Sequence, residues 1–145
     1  MKLLSESWQF WALLSAVAAA STAIFAKVGI AGIGSDFATL IRTFVVLIAL
    51  ALIVVMTGQW ESLGSVSGKT YLFLVLSGLA TGASWLCYFR ALKLGEASRV
   101  APIDKLSVVF VAVLAALFLG ERLAAINWLG VALIAAGAVL VSLKV

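Results

Sequence analysis

The intervals between charged residues limit this chain more than any other feature. Uncharged, mostly apolar runs extend from Ser7 to Ala26, Thr43 to Trp60, Thr70 to Phe89, Ser107 to Gly120 and Leu123 to Leu143. A helix that crosses a ~30 Å hydrocarbon layer at 1.5 Å per residue needs roughly 17–25 such residues. Four of the runs are long enough. The run from Ser107 holds about 14 residues and covers about 21 Å. It reaches bilayer thickness only when extended back to Pro102, and Asp104 and Lys105 then lie within its first turns. Charges at that depth cost a few kcal/mol each unless paired, hydrated or snorkelling. The short run therefore draws attention to Asp104 and Lys105.

Composition leads to the same solvent. Of 145 residues, 65% are apolar and 11% charged, against about 25% charged in a soluble domain. Too few polar side chains exist to cover a water-facing surface. The expected fold is an all-α integral membrane protein, a single domain over 1–145. Its five transmembrane helices are placed near 7–28, 36–57, 70–92, 101–120 and 123–143. The first has features of a signal peptide: Lys2, an apolar stretch, then small residues. It outruns an h-region of about 7–15 residues and leads into a second span, so it reads as a retained helix.

Five helices place the termini on opposite sides. The side with the 1–2 loop, the 3–4 loop and the C-terminus carries Lys27, Arg42, Arg90, Lys93, Arg99, Lys105 and Lys144. The other carries Lys2, Lys69 and Arg122. The positive-inside rule makes the first side cytoplasmic. Discounting Arg42, Arg90 and Lys105 as membrane-embedded brings the bias close to balance.

Several function classes drop out. The net charge of +4 is scattered over helix ends and forms no basic run, so no nucleic-acid partner is implied. The single cysteine, Cys87, cannot form an internal disulfide. With no histidine in the chain, a His-based metal or acid–base site is excluded. The carboxylates are isolated rather than paired at working distance, which argues against an enzyme. No cofactor is expected.

In chain order, the small residues from Ala16 to Ser21 allow close helix approach or a groove wall. Asp36 reads as a cap for the second helix. Arg42 lies about 9 Å further along the axis. It either snorkels to the interface or faces the bundle and meets Asp104 or an acidic substrate group. Gly78 and Gly82 form a GxxxG pair that lets a neighbour approach. Trp85 and Tyr88 share a face beside Ser84, as an aromatic belt on lipid or as a cavity wall. Pro102 fits the first turn of the fourth helix, with Ser98 or Ala101 near its cap. Asp104 and Lys105 are adjacent and point apart, so Arg42 and Arg90 are the candidate partners for Asp104. That cluster is either a structural salt-bridge group or a gate. Glu121 pairs with Arg122 of a neighbour or caps the fifth helix.

The segments Tyr88–Leu92, Gly95–Ala97, Val100–Ile103 and Phe118–Arg122, with Gly130 and Gly137 beyond them, resemble the second half of a repeat of EamA-type proteins of the drug/metabolite transporter superfamily. The resemblance is clear over Gly78 to Val141 and looser before it. Most such proteins are similar to two fused five-helix repeats of opposite orientation, ten helices in all, and transporter sites form between repeats at the bilayer midplane. This chain matches one half. The resemblance implies a secondary transporter, an exporter or facilitator of small organic metabolites, working by alternating access as a homodimer with membrane lipids around it. An antiparallel pair reproduces the inverted repeats; a parallel two-fold dimer is the rival. The expected site joins Trp85, Tyr88, Ser84 and Ser107 for substrate with Arg42, Arg90, Asp104 and Lys105 as gate or ion pairs. The expected location is the cell membrane, the inner membrane of a prokaryote. The alternatives are a non-transporting assembly subunit and a flippase for lipid-linked precursors.

Overall fold

A computed structural model describes residues 7–143; Lys2 and Lys144, counted above for orientation, lie outside them. The described residues form helices and turns without strands. The helices are α1 (Trp8–Gly29), α2 (Ser35–Met56), α3 (Gly68–Leu94), α4 (Ala97–Asp104), α5 (Ser107–Leu114) and α6 (Ala125–Ser142). A 3₁₀ turn covers Leu63–Ser65, and a π turn covers Ala115–Leu119. Taken as one span, α4, α5 and the π turn run over Ala97–Leu119, and the described residues hold five helices long and apolar enough to cross a membrane. The all-α, five-span expectation holds.

Apolar side chains are largely on the outside. Phe73, Leu76, Phe110, Leu117 and Leu133 are exposed, and the buried apolar set is small: Ala23, Ala26, Ile30, Ala38, Phe89, Leu92, Ala115 and Ala138. Lipid is as apolar as leucine, so alanines make up much of this set, although the least exposed residues are Ile30, Phe89 and Leu92.

The chain divides into two compact units. One comprises Ala26–Lys93, and the other the segments before Ala26 and after Lys93. In the first unit, α2 and α3 are joined by a loop that the 3₁₀ turn shortens. The Ser67 hydroxyl accepts from the Thr70 amide at 3.1 Å, which caps the start of α3. The Tyr71 hydroxyl donates to the Leu63 carbonyl at 2.8 Å. At the far end of α3 the Lys27 ammonium donates to the Leu92 carbonyl at 2.6 Å. A cation there suits the negative end of the helix dipole. Lys93 donates to the Ile33 carbonyl at 2.7 Å and ties down the turn between α1 and α2.

In the second unit, α4 and α5 each pack on α6. Arg99 donates through Nε and an Nη to the Ser142 carbonyl, at 3.1 and 2.7 Å. A basic side chain therefore closes a helix C-terminus in each unit.

The fourth span differs from expectation. It starts at Ala97, so Pro102 sits inside α4 rather than at its first turn, and the N-cap position is Glu96 without a side-chain cap. The missing amide of Pro102 leaves the helix one bond short. The ladder then tightens: the amides of Leu106, Val108 and Val109 bond to the carbonyls of Ile103, Lys105 and Leu106. The span thus breaks at Lys105–Leu106 and resumes as α5. Charge-free length placed the start too late because the helix tolerates Arg99, Asp104 and Lys105 within it.

Three smaller expectations also change. Asp36 lies within the first turn of α2, whose N-cap is Gly34, and caps nothing. Glu121 does not cap α6, which begins after Ala124 with no side-chain cap. Space at Gly78, Gly82, Gly130 and Gly137 is open, with no heavy atom within 4 Å of an added Cβ. Within the described residues these glycines bring no neighbour close.

Candidate functional site

A cluster of chemically capable side chains lies between α2 and α3. Asp36 faces Arg90, and Arg42 faces Trp85 and Phe89, so the two helices meet in antiparallel register. Arg90 grips Asp36 with both arms of its fork, Nε to one carboxylate oxygen at 3.1 Å and an Nη to the other at 2.7 Å. This is the bidentate geometry that only arginine offers a carboxylate. The Ser35 hydroxyl adds a bond to Asp36 at 3.2 Å. Both ionic side chains are more than half exposed, at 62% and 55%. Asp36 is the second residue of α2, and Arg90 lies in the last turns of the 27-residue α3. A helix of that length reaches about 40 Å and overhangs a ~30 Å core. The pair therefore belongs to the interface.

Arg42 is deeper, about 9 Å along α2 from Asp36. Six residues on a helix also turn it about 120° away from Asp36, so the two cannot share one partner on α3. The Arg42 guanidinium carbon lies 4.0 Å from the Trp85 ring centroid and 5.6 Å from that of Phe89. Trp85 and Phe89 are four residues apart on one helical face, and Phe89 is buried. Arg42, Trp85 and Tyr88 are half-buried. Arg42 turns toward α3 and stacks on its aromatic rings.

The remaining expected residues fall differently. Asp104 takes its neighbour Lys105 as ion partner, Oδ2 to Nζ at 3.3 Å. Arg90 takes Asp36. The expectations that Arg42 or Arg90 would neutralise Asp104, and that Asp104 and Lys105 point apart, are thus both corrected. The rule for adjacent residues assumes an unbroken helix. Lys105 is instead the C-cap of α4, with ψ near −6°, and its long side chain folds back. Ser107 is exposed at the start of α5, in the second unit, and Ser84 is exposed on α3. Sequence reasoning missed Asp36 and Phe89 as members of the cluster. The Trp85–Phe89 spacing of four was a visible signal for Phe89; nothing local announced that Asp36 would meet Arg90.

Comparison with known proteins now adds to this geometry. The model of the EamA-like transporter family matches residues 6–143. The chain belongs to the EamA-like transporter family. A relative from a Sinorhizobium species, named an uncharacterized transporter in the cobO 3′ region, is 68% identical over 139 residues, covering 96% of this chain and 99% of the relative. No solved structure matches. As a member of this EamA-like family, the chain is a multi-pass membrane protein of a transporter class, and its α2–α3 cluster lies within the matched region.

Proposed function

We propose that this chain is a secondary transporter of small organic metabolites, non-catalytic, resident in the inner membrane of a prokaryote and working by alternating access. The observation that carries the reading is the α2–α3 cluster. It holds a half-buried cation on an aromatic platform two turns below an exposed ion pair. Such a platform suits a polar guest, since aromatic faces and a fixed guanidinium bind without reorganising. An interfacial ion pair is equally suited to opening and closing, because water can replace its bonds at little cost. In this reading Trp85, Tyr88 and Ser84 line the substrate path, Arg42 contacts the guest, and Asp36–Arg90 is a pair that breaks and reforms between access states; within the other unit, Ser107 is a further substrate contact and Asp104–Lys105 a further gating pair.

A homodimer supplies the second five-helix half, antiparallel by preference. Two points support it: transporter sites form between two repeats, and the glycine face of α6 is uncovered. The test uses cysteines placed at Trp85 and at Ser107, each in a Cys87→Ser background, and a membrane-impermeant maleimide on intact cells. Labelling at either position, reduced by a transported solute, is expected. Complete protection at both overturns the carrier reading. Reporter tags on each terminus decide the pairing: two orientations in one population support the antiparallel dimer, and a single one removes it.

A further inference from the structure

We infer that Arg42 is the receptor for a singly charged organic anion, a carboxylate whose apolar or hydroxylated remainder lies along Trp85 and its neighbours. This deepens the carrier reading and rests on it. Three observations support the assignment.

Arg42 is the cation at this depth that has no anion. Its guanidinium lies on the Trp85 and Phe89 rings and interacts electrostatically with the Tyr88 phenol; among the described residues no carboxylate pairs with it. Asp36 is taken by Arg90 and Asp104 by Lys105. Lys27, Lys93 and Arg99 donate to backbone carbonyls. Lys27, Arg90, Lys93, Arg99 and Lys105 thus each have an oxygen partner.

Its donors are also reachable. No buried side-chain nitrogen or oxygen lacks a partner among the described residues, so the unused N–H groups of this half-buried arginine open onto space rather than being sealed. A guanidinium carries five donors in a planar fork and cannot shed its charge. The ring contact offsets only part of the cost of holding a charge inside a bilayer. A bound carboxylate closes the difference with two parallel N–H···O bonds.

The charge count selects the class. One guanidinium neutralises one negative charge, so guest and site together are neutral at the depth where charge is costly. A phosphate monoester carries about −1.5 to −2 at neutral pH and leaves a residue of charge behind. Trp85 meanwhile stacks on the guanidinium, with its ring centroid 4.0 Å from the guanidinium carbon, which favours one orientation of the fork.

The test is a titration of the purified protein in detergent, read by tryptophan emission. Benzoate, lactate and gluconate are compared with their neutral partners benzamide, lactamide and gluconamide, and with methyl phosphate. At least one carboxylate is expected to give a saturable change that its amide fails to reproduce at tenfold higher concentration, with methyl phosphate weaker. Trp85→Phe should abolish most of the signal while a competition assay still detects binding. Arg42→Gln should weaken binding at least tenfold, and Arg42→Lys, which keeps the charge but not the fork, should fall between. Equal response to acid and amide, silence toward all three acids, or unchanged binding in Arg42→Gln overturns the assignment. The acid–amide comparison uses the unaltered protein and does not depend on any variant folding. The maleimide experiment reads water access without an anion, so a carrier of neutral or cationic solutes would pass that test and fail this one.

Discussion

The contact between Arg42 and Trp85 can be measured as a coupling energy. The perturbation is a double-mutant cycle with Arg42→Met, which keeps an unbranched stem, and Trp85→Leu. The guanidinium carbon stands 4.0 Å from the indole centroid, well inside the ~6 Å limit for cation–π attraction. Tryptophan is the strongest of the aromatic partners. Exposed pairs of this kind give about 0.5–1 kcal/mol and desolvated ones about 2. Arg42 is half-buried, so a coupling of about 1–1.5 kcal/mol is expected, near tenfold in an equilibrium constant. The assay is reversible unfolding of the four proteins in mixed micelles, titrated with sodium dodecyl sulfate and followed by far-ultraviolet circular dichroism, a probe that the loss of a tryptophan does not remove. Independent sites add to within about 0.3–0.5 kcal/mol. A coupling inside that scatter would mean that the stack contributes nothing, and the argument for a pre-positioned guanidinium would fall with it. The same cycle on Phe89, whose centroid is 5.6 Å away, should give a clearly smaller value.

Other outcomes follow from the same coordinates. Leu92 is fully buried at 0% exposure and Leu94 stands at 90%; Leu92→Ala should cost about 2–4 kcal/mol in the micelle assay by leaving a cavity, and Leu94→Ala almost nothing. Gly120 ends the π turn with φ +68°, so Gly120→Ala should cost about 1 kcal/mol although an added Cβ would meet open space. Reversing the ion pair as Asp36→Arg with Arg90→Asp should restore most of the flux that either single change removes; a double variant as inactive as the singles would rule out the pair as a gate.

How much was legible in advance depended on the range of the interaction. The five spans follow from hydrophobic length, which the bilayer reads one segment at a time. Arg42 could be singled out because a charge amid apolar residues is visible at its own position. Its target was not visible, because snorkelling and inward packing have the same local sequence. The Asp36–Arg90 pair joins positions 54 residues apart, and no spacing rule relates them. Asp104 and Lys105 were misread for the opposite reason: a sound local rule was applied across a helix that ends at that point.

The sequence by itself therefore determined the solvent, the number of crossings and the family, since all three rest on apolar length and ordered motifs along one chain. Tertiary structure alone decided which carboxylate meets which cation, and that Arg42 is left without one. Those outcomes depend on the antiparallel register of α2 against α3. That register is set by packing between segments far apart in the chain, where distances of an ångström or two separate an ion pair from a bare charge.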